Sequence, residues 1–282
     1  MKNILEVKNL SKKYDGFALS DVNISLPKGC IMGFIGENGA GKTTTIKLIL
    51  NLIHRDSGEV NVLGLDNITN NLQIKEDLGV VFDESNFPDT MNAADVNVVM
   101  RNIYKKWDEP VFHSYLDRFS LPLKKSIKEY SRGTKMKLSI AAALSHHAKL
   151  LILDEATSGL DPIVRDEILD VFLEFIQDEE HSVFLSSHIT SDLEKIADYI
   201  TFVHKGRIVF SEPKDTLLYD YGILKCSAAD YEDINKDYVL GSRKNQFGVE
   251  ALVQRAKLNT GCTIDSASLE DIMLFRIKGE AI

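Results

Sequence analysis

Two periodicities alternate along the chain. Over residues 4–26 apolar and polar side chains roughly alternate, strictly so in Val22-Asn23-Ile24-Ser25-Leu26, which predicts half-buried strands. Pro27-Lys28-Gly29 then reads as a turn. Residues 30–35 are a short apolar run ending on Gly36, and similar runs lie at 78–82, 150–153 and 183–186. Runs of this kind suit strands buried on both faces of a parallel sheet. After the first run, Ile46, Ile49, Leu50 and Ile53 fall at helical spacing, predicting a helix that stops near Arg55-Asp56-Ser57-Gly58. Helix-like segments also separate the later runs, which points to an α/β sheet.

Residues 93–148 carry helical patterns and few strand signals, so an α-helical subdomain is expected within the sheet, spanning about 84–150. Around His204-Lys205-Gly206, residues 200–203 and 207–210 read as a closing hairpin. The texture changes after Glu212-Pro213. The expected organisation is therefore a domain over residues 1–215 and a small C-terminal accessory α/β domain over 216–282. That tail holds a capping-box-like helix start, Ser268-Leu269-Glu270-Asp271.

Composition mainly excludes. With 44% hydrophobic and 27% charged residues, the 282-residue chain has the usage of an ordinary globular protein. Its longest uncharged run is far short of the roughly 20 apolar residues of a membrane span. A net charge of −9, from 42 acids against 33 Lys and Arg, opposes broad adhesion to nucleic acid or anionic lipid. No nucleic-acid partner is expected, and the absence of a signal-type apolar stretch predicts a cytoplasmic address. Cys30, Cys226 and Cys262 are widely spaced with no C-x-x-C pair, and are expected to be packing residues.

Gly36-Glu37-Asn38-Gly39-Ala40-Gly41-Lys42-Thr43 fits the pattern G-x-x-x-x-G-K-[ST]. Its glycines let backbone N–H groups converge on an anion, and the following helix aims its positive dipole end at the same point. Gly36, Asn38, Gly39, Ala40, Gly41, Lys42, Thr43 and Thr44 are the expected nucleotide contacts. Lys42 would neutralise the outer phosphates, and the Thr43 hydroxyl would ligate Mg²⁺. Downstream, the apolar run at 150–153 ends in Asp154-Glu155, placing two carboxylates where ligands meet open α/β sheets. Asp154 is suited to hold Mg²⁺ and Glu155 to polarise the water that attacks the γ-phosphate.

With these two motifs in place, the chain resembles ATP-binding-cassette (ABC) transporter ATPases over about residues 1–215, because the family's other motifs follow in order. The resemblance implies a P-loop NTPase core with an N-terminal antiparallel β subdomain and the inserted helical subdomain. Tyr130-Ser131-Arg132-Gly133-Thr134-Lys135 stands where the family usually has Leu-Ser-Gly-Gly-Gln. It implies that Ser131 and the backbone at Gly133 meet the γ-phosphate of a nucleotide held by another subunit. Ser158-Gly159-Leu160-Asp161 resembles the D-loop, with Asp161 at the composite site. His188 matches the switch histidine that contacts the γ-phosphate, and Tyr14 the aromatic residue on which adenine stacks. Asp83 departs from the family, which carries Gln there to touch Mg²⁺ and the attacking water. An ionised Asp donates no hydrogen bond and is one methylene shorter, so metal contact is expected to survive while water positioning weakens.

One copy of each motif makes half of each composite site, so the resemblance implies a homodimer or a paralogous ATPase partner closing around two ATP molecules. It also implies an integral-membrane permease that contacts the region from Asp83 to Tyr104 and holds the chain at the inner face of the cell membrane. The signature form and the tail resemble the bacitracin-resistance and multidrug or peptide export branch. Two alternatives remain at this level. A soluble ABC-type ATPase acting on the ribosome or nucleic acid would usually join two cassettes or insert a long coiled coil. An ATP-binding regulatory module would have no need of both Glu155 and His188.

Overall fold

The computed structural model describes residues 2–84, 86–258 and 261–278. Strands β1 (Asn3–Tyr14) and β2 (Phe17–Pro27) form a long antiparallel pair. The next strand, β3 (Ile31–Ile35), is buried at every residue, and α1 (Lys42–Ile49) follows it. That helix ends earlier than its apolar spacing predicts. Leu50 closes it and Asn51 turns to a left-handed φ of 52°, so Ile53 falls outside. Strands β4 (Ser57–Val62) and β5 (Leu65–Asp66) were not expected from the pattern; they complete an antiparallel sheet in the order β2-β1-β4-β5. Gly58 makes this pairing possible. A Cβ there would lie 2.5 Å from the Asn9 carbonyl oxygen, and its φ is 94°.

A second sheet forms the centre. After α2 (Asn71–Glu76) and β6 (Leu78–Val81), three helices intervene: α3 (Ala93–Ile103), α4 (Glu109–Arg118) and α5 (Arg132–Leu144). Side chains start all three, from Asn92, Asp108 and Ser131, each accepting the backbone N–H of the residue three positions on. The chain then runs through β7 (Leu150–Asp154), α6 (Pro162–Phe175), β8 (Ser182–Ser187), α7 (Thr190–Ile196), β9 (Tyr199–His204) and β10 (Arg207–Pro213). The strand order is β10-β9-β3-β8-β7-β6, parallel except for β10. Parallel strands end at a common edge. Ile35 lies beside Ser187, Ser186 beside Asp154, and Leu153 beside Val81. The α/β class expected from the sequence is the observed one, and β9 and β10 form the closing hairpin.

The tail adds α8 (Lys214–Asp220), β11 (Tyr221–Cys226), α9 (Ala228–Glu232), β12 (Val239–Asn245), β13 (Gly248–Gln254), β14 (Thr263–Ser266) and α10 (Leu269–Lys278). Its sheet is antiparallel, in the order β12-β13-β11-β14. Alternate residues face opposite sides, as strand geometry requires. Leu224, Ala251 and Val253 pack in a small cluster with Tyr231 and Val249. Ile223, Leu252 and, from α10, Leu269, Ile272 and Phe275 join the large core beneath the central sheet. The start of α10 is a capping box: Ser268 Oγ accepts from Asp271 N, and Asp271 Oδ2 accepts from Ser268 N, both at 3.1 Å. Glu194 of α7 also accepts from Leu269 N at 2.7 Å, tying the tail to the central domain.

Candidate active site

The loop between β3 and α1 holds its shape through close packing. A Cβ on Gly36 would lie 2.5 Å from the Val203 carbonyl oxygen, so only glycine fits. Gly41, at a φ of 111°, begins α1, and no side chain caps the helix. Its first N–H groups are thus left without a side-chain acceptor, an arrangement suited to receiving an anion. Lys42 is only 6% exposed, unusual for lysine unless paired. Its ammonium donates to the Gly36 carbonyl at 2.7 Å and lies 3.1 Å from Glu155 Oε1.

Strand β7 delivers Asp154, 3% exposed, to the same edge. Thr43 Oγ1 donates to Asp154 Oδ2 at 2.8 Å, and Ser186 Oγ donates to Oδ1 at 2.6 Å. The same serine oxygen accepts from Glu155 N at 3.2 Å. Glu155 leaves the strand at a φ of 54°, a conformation that costs a non-glycine residue on the order of 1 kcal/mol. This turn carries its carboxylate between Lys42 and His188. His188 Nδ1 lies 2.6 Å from Glu155 Oε2; a carboxylate only accepts, so Nδ1 carries the proton. Glu155 Oε1 is buried and receives no well-aligned hydrogen bond among the described residues.

The remaining candidates lie around this centre in two groups. Tyr14, at the end of β1, is 42% exposed with the Lys12 ammonium 5.6 Å from its ring centre. Asn38 and Gly39 are exposed at the loop tip, Ala40 is buried beneath it, and Thr44 lies in the first turn of α1. Asp83 lies two residues past the end of β6, whose last residue, Val81, pairs with Leu153 of β7. Asp83 is exposed and makes no hydrogen bond or ion pair among the described residues. Ser131 and Asp161 instead cap helices, accepting from Thr134 N at 3.2 Å and Val164 N at 3.1 Å. The two helix starts abut, since Val164 would lie 3.3 Å from a Cβ on Gly133. Among the described residues, no hydrogen bond or ion pair joins this second group to Lys42, Asp154 or Glu155.

Several contributors escape sequence reasoning. Ser186 orients both Asp154 and Glu155, yet its role depends on the β7–β8 register, which no local motif encodes. Arg132, noted only as a departure from a signature, lays its guanidinium over Gly159, with Nη1 3.1 Å from where a Cβ would be. Asp192 is buried beside Arg165, Nε to Oδ1 3.4 Å, and burial holds its carboxyl above the usual range against the opposing pull of Thr157 and Arg165. Glu37, in the phosphate loop, lies 2.9 Å from His204 Nδ1.

A family model described as "ABC transporter" matches residues 19–158. The bacitracin transport ATP-binding protein BcrA of Bacillus licheniformis is 34% identical over 223 residues, covering 77% of this chain and 72% of that protein. The lantibiotic transport ATP-binding protein SrtF of Streptococcus pyogenes is 33% identical over 215 residues, covering 75% of this chain and 92% of that one. Among solved structures, one described as the ATP binding subunit of an ABC transporter superposes with a TM-score of 0.67 at 25% identity, over 76% of this chain and 91% of the other.

Proposed function

The chain belongs to the ABC transporter family as an ATP-binding subunit that hydrolyses ATP to drive transport, and from that premise we propose that it works as one half of a paired engine beneath an export permease. The observation that carries this reading is the continuous network from Lys42 through Glu155 to His188, set beside the Thr43–Asp154–Ser186 network. Lys42 and the uncapped N–H groups of α1 bind the phosphates. Glu155 accepts from the attacking water and orients it, and His188 holds the carboxylate in place. Tyr14 offers its exposed face to the adenine.

Thr43 and Asp154, with Asp83 at the margin, are the residues that would hold Mg²⁺. They fit it. Their donors are oxygens, and no group of three or more His, Cys, Asp or Glu forms a cage among the described residues. Mg²⁺ characteristically takes one or two protein oxygens and completes its shell from phosphates and water. When bound, it neutralises charge on the phosphate oxygens.

Ser131, Gly133 and Asp161 form a separate surface at the starts of α5 and α6, suited to a nucleotide held by a second copy or a paralogue. A groove of about 900 Å³ between the central sheet and the end of α3, bordered by Leu52, Leu72, Phe82, Ile103 and Tyr104, suits a helix of the permease. Leu72 is 84% exposed there. No helix among the described residues is long and apolar enough to cross a membrane. Attachment to the inner face of the membrane through the permease is part of the same proposal. The bacitracin and lantibiotic relatives make an antimicrobial peptide the proposed cargo.

Mixing two inactive variants tests the pairing. In a mixed pair of Lys42→Ala and Ser131→Arg chains, both defects fall in one composite site and the other is intact. Turnover should recover to about a quarter of wild type in an equimolar mixture. If the mixture is no more active than either variant alone, the shared-site reading fails.

A further inference from the structure

Two of the three cysteines, far apart in sequence, meet in the tail. Strands β11 and β14 run antiparallel with Leu224 opposite Ile264 and Lys225 opposite Thr263, so the next position sets Cys226 opposite Cys262. Cys226, Cys262 and Ile264 pack against the small cluster that contains Leu224, Tyr231, Val249 and Val253, which puts both sulfurs on one face. Directly opposite residues of an antiparallel pair have Cα atoms about 4.5 to 5.5 Å apart. That separation lies within the roughly 4.4 to 6.8 Å spanned by a disulfide. Both cysteines are partly buried thiols here, and the Cys262 sulfur is a hydrogen-bond partner of Cys226.

We propose that Cys226 and Cys262 are a redox pair that closes into a cross-strand disulfide, stapling β14 to β11. The oxidant is a low-molecular-weight disulfide, R–S–S–R. The thiolate of one cysteine attacks a sulfur of R–S–S–R, expelling R–S⁻ and leaving a mixed disulfide on the protein. The thiolate of the other cysteine attacks the protein sulfur, expelling the second R–S⁻. The two protons lost by the cysteines end on the two R–S⁻ groups. The cysteine pair is oxidised by two electrons and R–S–S–R is reduced to two thiols.

The position gives the bond a mechanical role. Strand β11 follows α8 directly, and β14 leads through Ala267 and Ser268 into α10, whose Leu269, Ile272 and Phe275 lie in the large core. The staple therefore clamps the entry and exit of the appended sheet together. Burial, then the neighbouring Cys262 and Asp230, push the Cys226 thiol up from its ordinary value. Reduced Cys226 thus gains little stabilisation as thiolate, which favours retention of the disulfide once formed.

The test is incubation of the full chain with oxidised glutathione, followed by alkylation and peptide mapping. The expected product is a Cys226–Cys262 cross-link with the loss of two hydrogens, with Cys30 still alkylated and the chain monomeric on a non-reducing gel. The oxidised chain should unfold several degrees above the reduced chain, and Cys262→Ser should abolish the shift. Persistent glutathione adducts on both cysteines without a cross-link would overturn the proposal. So would linkage to Cys30 or between chains.

Discussion

The edge of the central sheet and the appended sheet handle polarity in opposite ways. At the edge, Lys42, Asp154, Thr157 and Ser186 are buried, Glu155 sits in a left-handed conformation, and one of its oxygens lacks an aligned donor. In the tail, no polar or charged side chain among the described residues is fully buried; Leu224, Val249, Ala251 and Val253 make an apolar cluster. Buried polar groups cost free energy unless every one is satisfied. The first region tolerates that cost at the sheet edge proposed to grip a phosphate and a water. The second is held by apolar packing, and its effects should be separable from ATP hydrolysis.

Lys42→Ala breaks the comparison most sharply. It should lower kcat/KM for ATP at least about a thousandfold, equivalent to about 4 kcal/mol, while cooperative unfolding persists. Steady-state turnover within tenfold of wild type would remove Lys42 from the site. Leu224→Ala should do the reverse. A loss of about 2 to 5 kcal/mol in denaturant unfolding is expected, with unchanged turnover per folded molecule. Impaired turnover at full stability would mean that the tail takes part in the chemistry.

Ser186→Ala sharpens the picture within the edge itself. Removing the hydroxyl that holds Asp154 and the Glu155 backbone should cost about tenfold in kcat, or roughly 1.4 kcal/mol, with KM little changed. A change in KM alone would make it a binding residue.

The smallest effect concerns His146, buried where α5 meets β6, its Nε2 3.1 Å from the Leu78 carbonyl and its ring stacked on Tyr104. Burial holds its pKa below the ordinary value, outweighing the two carbonyls that favour the charged form. A depressed histidine pKa means that the unfolded chain binds the proton more readily. Stability is therefore unaffected above the ordinary value of about 6.5 and declines as pH falls below it, until the folded-state pKa is reached. Melting temperature against pH should show this slope, and His146→Gln should flatten it.

Legibility in the sequence followed the same division. Buried strands and the phosphate loop were readable because continuous apolar runs and a fixed glycine spacing are local signals. Strand β4 was not, since in Ser-Gly-Glu-Val-Asn-Val only Val60 and Val62 are buried and its pairing depends on a distant approach at Gly58. The expected extension of α1 to Ile53 failed because Asn51 turns left-handed, which apolar spacing does not register. Ser186 and the Cys226–Cys262 pair are consequences of strand register between segments far apart in the chain. Asp83, chosen by resemblance, is exposed just past the end of β6 and makes no hydrogen bond or ion pair among the described residues.

The central claim is that Glu155, held between Lys42 and His188, makes hydrolysis the step that releases a closed pair of chains. Glu155→Gln removes the charge and keeps the shape. The account predicts that ATP and Mg²⁺ convert this variant to a stable dimer in size-exclusion chromatography, with turnover reduced by at least about a hundredfold. A variant that stays monomeric with ATP and hydrolyses it at the wild-type rate would contradict the account.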